Sequence, residues 1–154
     1  MDLVIDVDDP RAEDVRALLD VHLAFSRGTT PAAYAFALEA DQLAEPGVTF
    51  FAARRSGALV GVAALKRIDE GHVELKSMHT RDTERGRGVG TAIVGHLLTV
   101  ARNEGYRRVS LETGTTEEFA AARSLYAKLG FMPCGPYGAY RPSPHNTFMT
   151  RDLR

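Results

Sequence analysis

Short apolar stretches bounded by glycine, proline or acidic turn residues predict β-strands in this sequence. Six are present: Leu3–Val7, Val48–Arg54, Ala58–Ile68, His72–Thr80, Arg108–Thr113 and Asn146–Leu153. Longer stretches with apolar residues three and four positions apart predict helices that bury one face. These are Pro10–Phe25, Ala32–Leu43, the stretch from Val89 to a stop at Gly105, and Glu117–Leu129.

The order of these elements predicts an α/β (α+β) fold with one mixed sheet. The turns at Ser56-Gly57 and Asp69-Glu70-Gly71 are short enough to join antiparallel strands as hairpins. Later strands are joined through helices, as connections between parallel strands require. A chain of 154 residues can bury one hydrophobic core, so we expect a single domain over residues 1–154.

Composition and charge exclude several classes of function. The hydrophobic fraction of 44% and the charged fraction of 25% are ordinary for a soluble globular protein, and the net charge is −1. Such a protein has no general basic surface for nucleic acid or acidic membranes, so any anion site is local. No apolar run approaches the roughly 20 residues of a membrane span, and the N-terminus does not resemble a signal peptide. We therefore expect a cytoplasmic protein without nucleic-acid or membrane partners, which the single Cys134 also fits.

The stretch RGRGVG, Arg85–Gly90, precedes the third predicted helix and has the features of an anion site. The first N–H groups of a helix have no partner within the helix and point toward a ligand at its start. Glycines allow the main chain to approach that ligand closely. Arg85 and Arg87 add guanidinium groups that suit paired phosphates. The predicted ligand is therefore a pyrophosphate.

Three known phosphate-binding motifs can be compared with this loop. A P-loop requires a lysine after its glycines, and no lysine follows here. A dinucleotide fingerprint G-x-G-x-x-G that starts at Gly86 would need a glycine where Thr91 stands, and it belongs directly after the first strand of a fold. The third motif, R-x-x-G-x-G at the start of a helix, is matched fully by Arg85, Gly88 and Gly90.

This motif and a second segment resemble the GCN5-related N-acetyltransferase (GNAT) family. The family's A-x-x-L-Y-x-x-x-G-F segment is matched from Ala122 to Phe131, and Met78-x-Thr80 is similar to the end of its fourth strand. One helix and one strand separate the two motifs, as in the family. Within it, GHVELKSMHT, SLETG and the tail GPYGAYRPSPHNTFM are similar to a bacterial subgroup of small acetyltransferases.

The resemblance implies a mostly antiparallel central sheet with helices on both faces and two parallel strands that splay apart. Those strands would be His72–Thr80 and Arg108–Thr113, with acetyl-coenzyme A (acetyl-CoA) between them. The implied cofactor-binding residues, which act largely through main-chain groups, are Met78, His79, Thr80, Arg85, Gly86, Arg87, Gly88, Val89, Gly90 and Thr91. A homodimer is a further expectation from the family.

The reaction that the resemblance implies is direct transfer of an acetyl group to an amine. Tyr126 matches the family's tyrosine near the thioester sulfur, a candidate acid for the departing thiolate, although an aromatic at this helical spacing is also typical of a core. An acceptor ammonium must lose a proton, and strand alternation places Glu74, Lys76 and Met78 on one face. Glu74, or a water that it orients, is the first candidate base and Glu112 the second. A solvated or lysine-paired residue is the alternative interpretation of Glu74.

Two residues depart from the family pattern. Phe119 stands where many members have an asparagine that contacts the coenzyme, and Asp82 replaces a proline before the arginine. The alternative function is a coenzyme A-binding sensor without catalysis, which would need neither Glu74 nor Tyr126. We expect a small-molecule amine acceptor, although amino acids, antibiotics and protein N-termini are all open. No pair of histidines has metal-ligand spacing, so no metal is expected.

Overall fold

A computed structural model describes residues 3–31 and 38–154 of the chain. The α-helices are α1 (Glu13–Thr29), α2 (Ala40–Leu43), α3 (Val89–Asn103) and α4 (Ala120–Lys128). The strands are β1 (Leu3–Val7), β2 (Val48–Arg55), β3 (Ala58–Asp69), β4 (His72–Thr80), β5 (Arg108–Gly114), β6 (Met132–Cys134) and β7 (Asn146–Asp152). Short 3-10 helices at Asp82–Glu84 and Glu117–Phe119 precede α3 and α4.

The strands form one sheet in the order β1-β2-β3-β4-β5-β7-β6. All neighbours are antiparallel except β4 and β5, which are parallel and joined through α3. This arrangement confirms the predicted mostly antiparallel sheet with one parallel pair. Strand β6 was not predicted, because it has three residues and contains Pro133. Proline is tolerated there because β6 lies at the edge of the sheet.

Each of the six predicted strands is present, whereas the helix boundaries differ more. Helix α1 begins at Glu13 rather than Pro10. Glu13 and Asp14 lie in its first turn, where their negative charges stabilise the positive end of the helix dipole. It also continues beyond Phe25, whose carbonyl accepts a hydrogen bond from the Thr29 hydroxyl at 2.8 Å. Of the predicted helix Ala32–Leu43, residues 32–37 lie outside the described part. The prediction is wrong for Leu38 and Glu39, since Glu39 is extended and caps α2, which begins at Ala40.

Hydrophobic cores lie on both faces of the sheet. On one face, α3 buries the side chains predicted for its apolar stripe: Val89, Ile93, Val94, Leu97, Leu98 and Ala101. On the other face, Val15, Leu18 and Leu19 of α1 pack on side chains of β2 and β3. Apolar side chains therefore cover the sheet on both sides, as expected for a mixed sheet with helices on both faces.

The parallel strands pair over only part of their length. Register pairs run from His72 with Arg108 to Leu75 with Leu111, and beyond these the strands part. Ser77 forms a β-bulge in β4, with a positive φ of 56° and a shift of register against β3. The bulge interrupts the alternation of side chains, which makes the predicted face of Met78 wrong. Met78 packs on the core that contains α3, whereas Lys76 is paired with Ala64 in the core beneath α1.

Two further properties of the described residues bear on function. None of their helices combines the length and apolar character that crossing a membrane requires. Within these residues, no group of three or more His, Cys, Asp or Glu side chains is placed to hold a metal ion.

Candidate active site

A cavity of about 370 Å³ opens where β4 and β5 part. Its walls come from these two strands, the loop before α3, and helices α1 and α4. The predicted site residues that line it are Glu74, Met78, His79, Thr80, Arg85, Gly86, Gly88, Val89, Gly90, Thr91 and Tyr126, and Glu112 lines it as well. Arg87 lies outside the lining, with its guanidinium 3.2 Å from the Glu84 carboxylate.

The loop that leads into α3 has an open main-chain surface toward the cavity. Gly86 and Gly88 adopt left-handed conformations, with φ of 75° and 82°. A Cβ atom added at either glycine would meet no atom within 4 Å, so the space in front of the loop is available to a ligand. Among the described residues no side chain caps the start of α3, which leaves its first N–H groups for an anion. The loop therefore fits a pyrophosphate.

Arg85 adds positive charge at the mouth of the cavity. Its guanidinium lies 3.2 Å from the Asp82 carboxylate, and its side chain is 54% exposed. Asp82, which stands where the family has a proline, thus forms an ion pair with Arg85, the first arginine of the motif. An exposed ion pair of this kind is weak and exchanges partners easily, so the guanidinium can turn to a phosphate.

Glu74 lies buried in the cavity wall, enclosed by hydrogen-bond donors. Its Oε2 accepts hydrogen bonds from the Tyr137 hydroxyl at 2.7 Å and the Tyr140 hydroxyl at 2.6 Å. Nζ of Lys76 lies 3.5 Å from the same oxygen and donates to the Tyr140 hydroxyl at 2.8 Å. Within the described residues no hydrogen bond engages Oε1, which leaves that oxygen for an acceptor or a water.

Burial, followed by the negative charge of Glu74, raises the pKa of both Tyr137 and Tyr140. Both phenols therefore stay protonated at neutral pH and act as donors. Their rings pack edge to face on each other, and each also packs on Phe148 of β7. The loop between β6 and β7 is thus fastened over Glu74 by aromatic packing as well as by hydrogen bonds.

Tyr126 of α4 and Glu112 of β5 also line the cavity. Tyr126 is 6% exposed and packs against Phe131, as a core residue does, and it also lines the cavity. Burial, and then the charge of Glu112, raises its pKa, so the phenol is protonated and can donate. Burial also raises the pKa of Glu112, against the opposing effects of a hydrogen bond from Asn146 and the charge of Lys76.

Two histidines face each other on the α1 side of the cavity. Nδ1 of His22 lies 3.2 Å from Nδ1 of His79. Burial, with smaller effects of His79 and Lys76, lowers the pKa of His22 to about 4, and burial likewise lowers the pKa of His79. Both rings are therefore neutral at pH 7, with one Nδ1 donating and the other accepting.

This pair predicts a pH dependence of stability. Between pH 6.5, the ordinary pKa of histidine, and about 4, the unfolded chain binds a proton at residue 22 that the folded chain does not. The free energy of unfolding should therefore fall as the pH is lowered through this range, by about 1.4 kcal/mol per pH unit from this histidine. Urea unfolding of His22→Gln should show a smaller fall between pH 7 and pH 4, by about 3 kcal/mol. His145→Gln, outside the cavity, should keep the wild-type fall, and equal slopes in all three proteins would contradict the prediction.

Sequence reasoning identified the loop, Glu74, Glu112 and Tyr126 but left open the role of the tail tyrosines. Tyr137 and Tyr140 come 63 and 66 residues after Glu74. They lie in a loop with neither helical nor strand periodicity, so no pattern indicates where their hydroxyls point. The available signal was chemical: two tyrosines three positions apart in a glycine-rich loop next to a sheet edge.

Comparison with known proteins agrees with this geometry. Residues 15–131 match the Acetyltransferase (GNAT) family, so the chain belongs to that family. It is 39% identical over 149 residues to an N-acetyltransferase, YedL, of Escherichia coli (strain K12), covering 97% of this chain and 94% of the relative. An acyl-CoA N-acyltransferase from Klebsiella pneumoniae superposes with a TM-score of 0.81 at 26% identity, covering 99% of this chain and 98% of that one.

A solved structure with bound cofactor has the same fold. A GNAT family acetyltransferase from Elizabethkingia anophelis with acetyl-CoA bound superposes with a TM-score of 0.72 at 15% identity, covering 98% of each chain. Family membership identifies the protein as an acetyl-CoA-dependent N-acetyltransferase. Nothing in these comparisons favours an inactive coenzyme A-binding sensor.

The loop conformation gives a prediction with a matched control in the same helix. Gly88→Ala places a side chain in the left-handed region, which should lower the free energy of unfolding by about 1–2 kcal/mol and weaken coenzyme A binding. Gly95→Ala adds a methyl group in open space within α3. It should raise the free energy of unfolding by about 0.5–1 kcal/mol without affecting coenzyme A binding. Urea unfolding and calorimetric titration with coenzyme A check both variants. Changes of the same sign in the free energy of unfolding and in coenzyme A binding for both variants would contradict the role of Gly88 in the loop.

Proposed function

We propose that this acetyltransferase acts on the amine of a small molecule, with Glu74 as the base and Tyr126 as the acid. The observation that carries the proposal is that Glu74, Tyr126 and the pyrophosphate loop line one cavity where β4 and β5 part. The volume of about 370 Å³ has to take the reactive end of the cofactor together with the acceptor, which favours a small acceptor.

The cofactor is held mainly by main-chain groups. Residues Met78 to Thr80 have no partner strand on the β5 side, because the two strands pair only as far as Leu75 with Leu111. Their free N–H and C=O groups are available to the amide groups of the pantetheine arm. Those amides give up hydrogen bonds to water on binding and need new partners in the protein. The start of α3, together with Arg85, binds the pyrophosphate. Arg87, paired with Glu84 outside the lining, contributes through its main chain.

The chain's own residues move the protons of the reaction. Acetyl-CoA supplies the activated acetyl group, and an acceptor amine that arrives as an ammonium must lose a proton before it can attack. Glu74 takes this proton at Oε1, directly or through a water, while the two tyrosine hydroxyls hold Oε2 in place. Tyr126, protonated because burial raises its pKa, donates to the departing thiolate. Glu112 is the second candidate base, since its raised pKa brings it closer to neutrality.

Location and assembly are also part of the proposal. We propose a cytoplasmic location, which the single cysteine of the sequence fits. A homodimer is proposed from the family resemblance alone, and sedimentation of the purified protein tests it.

The function is tested by release of free coenzyme A thiol from acetyl-CoA over a panel of amines. The panel should include alkylamines, amino acids, aminoglycosides and a peptide with a free N-terminus, with acetylation confirmed by mass spectrometry. We expect at least one small amine to be acetylated faster than the peptide. Coenzyme A binding without turnover of any amine would favour the sensor function, and preference for the peptide would overturn a small-molecule acceptor.

A further inference from the structure

Lys76 is a buried cation in the wall of the cavity. Its side chain is 8% exposed, and among the lining residues that the structure describes it is the one Lys or Arg side chain that is buried. Its influence reaches α1, since its charge contributes to the lowered pKa of His22. Burying an ammonium is costly unless other groups compensate its charge and satisfy its donors.

The partners present use only part of the hydrogen-bonding capacity of Lys76. Nζ donates to the Tyr140 hydroxyl at 2.8 Å and lies 3.5 Å from Oε2 of Glu74. An ammonium carries three donors, so one is left over among residues 3–31 and 38–154. Glu74 does not depend on Lys76 for its hydrogen bonds, because two phenols already donate to Oε2 at 2.7 and 2.6 Å. Pairing with Glu74 therefore explains only part of why a charged lysine is buried at this position.

The charges around the acceptor space have a particular arrangement. Of the four glutamates in the described lining, Glu74 and Glu112 lie on β4 and β5, and Lys76 is on β4 as well, whereas Glu84 and Glu118 belong to the short 3-10 helices. The nearby histidines are neutral at pH 7. A carboxylate oxygen and an ammonium nitrogen thus stand 3.5 Å apart in the wall. An α-amino acid presents an ammonium and a carboxylate on neighbouring carbon atoms, with the complementary charges at a similar separation.

We infer that the acceptor is an α-amino acid whose carboxylate is bound by Lys76 while its amino group lies next to Glu74. The inference rests on the proposed function and adds the class of substrate. The amide C–N bond forms as the thioester C–S bond breaks. Of the two protons that the ammonium loses, one leaves to solvent through Glu74, and the other replaces the proton that Tyr126 gives to the thiolate. The products are an N-acetyl amino acid, free coenzyme A and one proton.

The first experiment compares matched acceptors with the wild-type enzyme. Each amino acid is paired with the amino alcohol that lacks its carboxylate: glycine with ethanolamine, alanine with alaninol, phenylalanine with phenylalaninol. For the best pair, kcat/KM should favour the amino acid by about ten- to a hundredfold, the effect of a hydrogen bond to a charged group. Equal or faster acetylation of the amino alcohols would overturn the inference while leaving the proposed function intact. Failure of every amine would contradict the proposed function itself.

The second experiment assigns the preference to Lys76. Lys76→Met should bring the ratio of kcat/KM for amino acid over amino alcohol down to about one, and Lys76→Arg should restore part of it. Lys128→Met, at the exposed end of α4, should keep the wild-type ratio. Urea unfolding identifies any loss of fold in the variants, and the wild-type comparison stands if Lys76→Met does not fold. An unchanged ratio in a folded Lys76→Met would overturn the role of the lysine.

Discussion

Replacement of Glu74 by Gln is expected to lower kcat for acetyl transfer by about 10²–10⁴-fold, the usual contribution of a positioned base. Glutamine keeps the size of the side chain and an oxygen that can accept from Tyr137 and Tyr140, but it cannot take a proton at neutral pH. The loss should be measured by thiol release with the best amine of the panel at saturating acetyl-CoA. Binding of coenzyme A should be unchanged, because the loop before α3 is not altered.

The comparison with Glu112→Gln decides between the two candidate carboxylates. If Glu74 is the base, Glu112→Gln should cost less than Glu74→Gln, and Glu117→Gln, exposed and outside the cavity, should have wild-type activity. A larger loss in Glu112→Gln than in Glu74→Gln would transfer the role to Glu112. Urea unfolding of each variant shows whether the loss of a buried carboxylate has changed the fold instead.

Tyr126→Phe is expected to have an effect of similar size, a fall in kcat of about 10²–10⁴-fold. The change removes one hydroxyl and keeps the ring that packs on Phe131, so stability should change little. Because Tyr126 donates only as the thiolate departs, KM for acetyl-CoA should stay near the wild-type value. Tyr106→Phe is the matched control, since Tyr106 packs against the same core but does not line the cavity. Equal activity of wild type and Tyr126→Phe would leave the phenol with a packing role alone.

Local patterns predicted the strands of this protein and the glycine loop before α3 well. The hairpins are encoded by short turns, and the loop by residues that are adjacent in sequence, so both follow from local rules. The apolar stripe of α3 was predicted residue by residue because one helix face packs on one sheet. Strand β6 was missed because three residues are too few to show alternation.

The details of the acceptor side depend on contacts that local patterns do not carry. The bulge at Ser77 changes the direction of Met78, and nothing in the sequence HVELKSMHT marks an extra residue. A serine with positive φ is held by its neighbours in the fold rather than by its own preference. The hydrogen bonds from Tyr137 and Tyr140 to Glu74 likewise exist only because the tail returns to the sheet as β7. Sequence analysis therefore predicted the residues that line the cavity at the loop before α3 more completely than the hydrogen bonds around Glu74.

The loop between β6 and β7 has a consequence for how acceptor choice can diversify. In the proposed function, main-chain groups of β4 and the start of α3 hold the cofactor, whereas the cover over Glu74 comes from Tyr137 and Tyr140, near the C-terminal end of the chain. Substitutions at Tyr137 or Tyr140, or changes in the length of their loop, alter the acceptor side while the coenzyme site keeps its residues. If the proposed roles hold, the enzyme is modular: a fixed acetyl-donor unit is combined with a separate segment that can be exchanged or redesigned to accept a different amine.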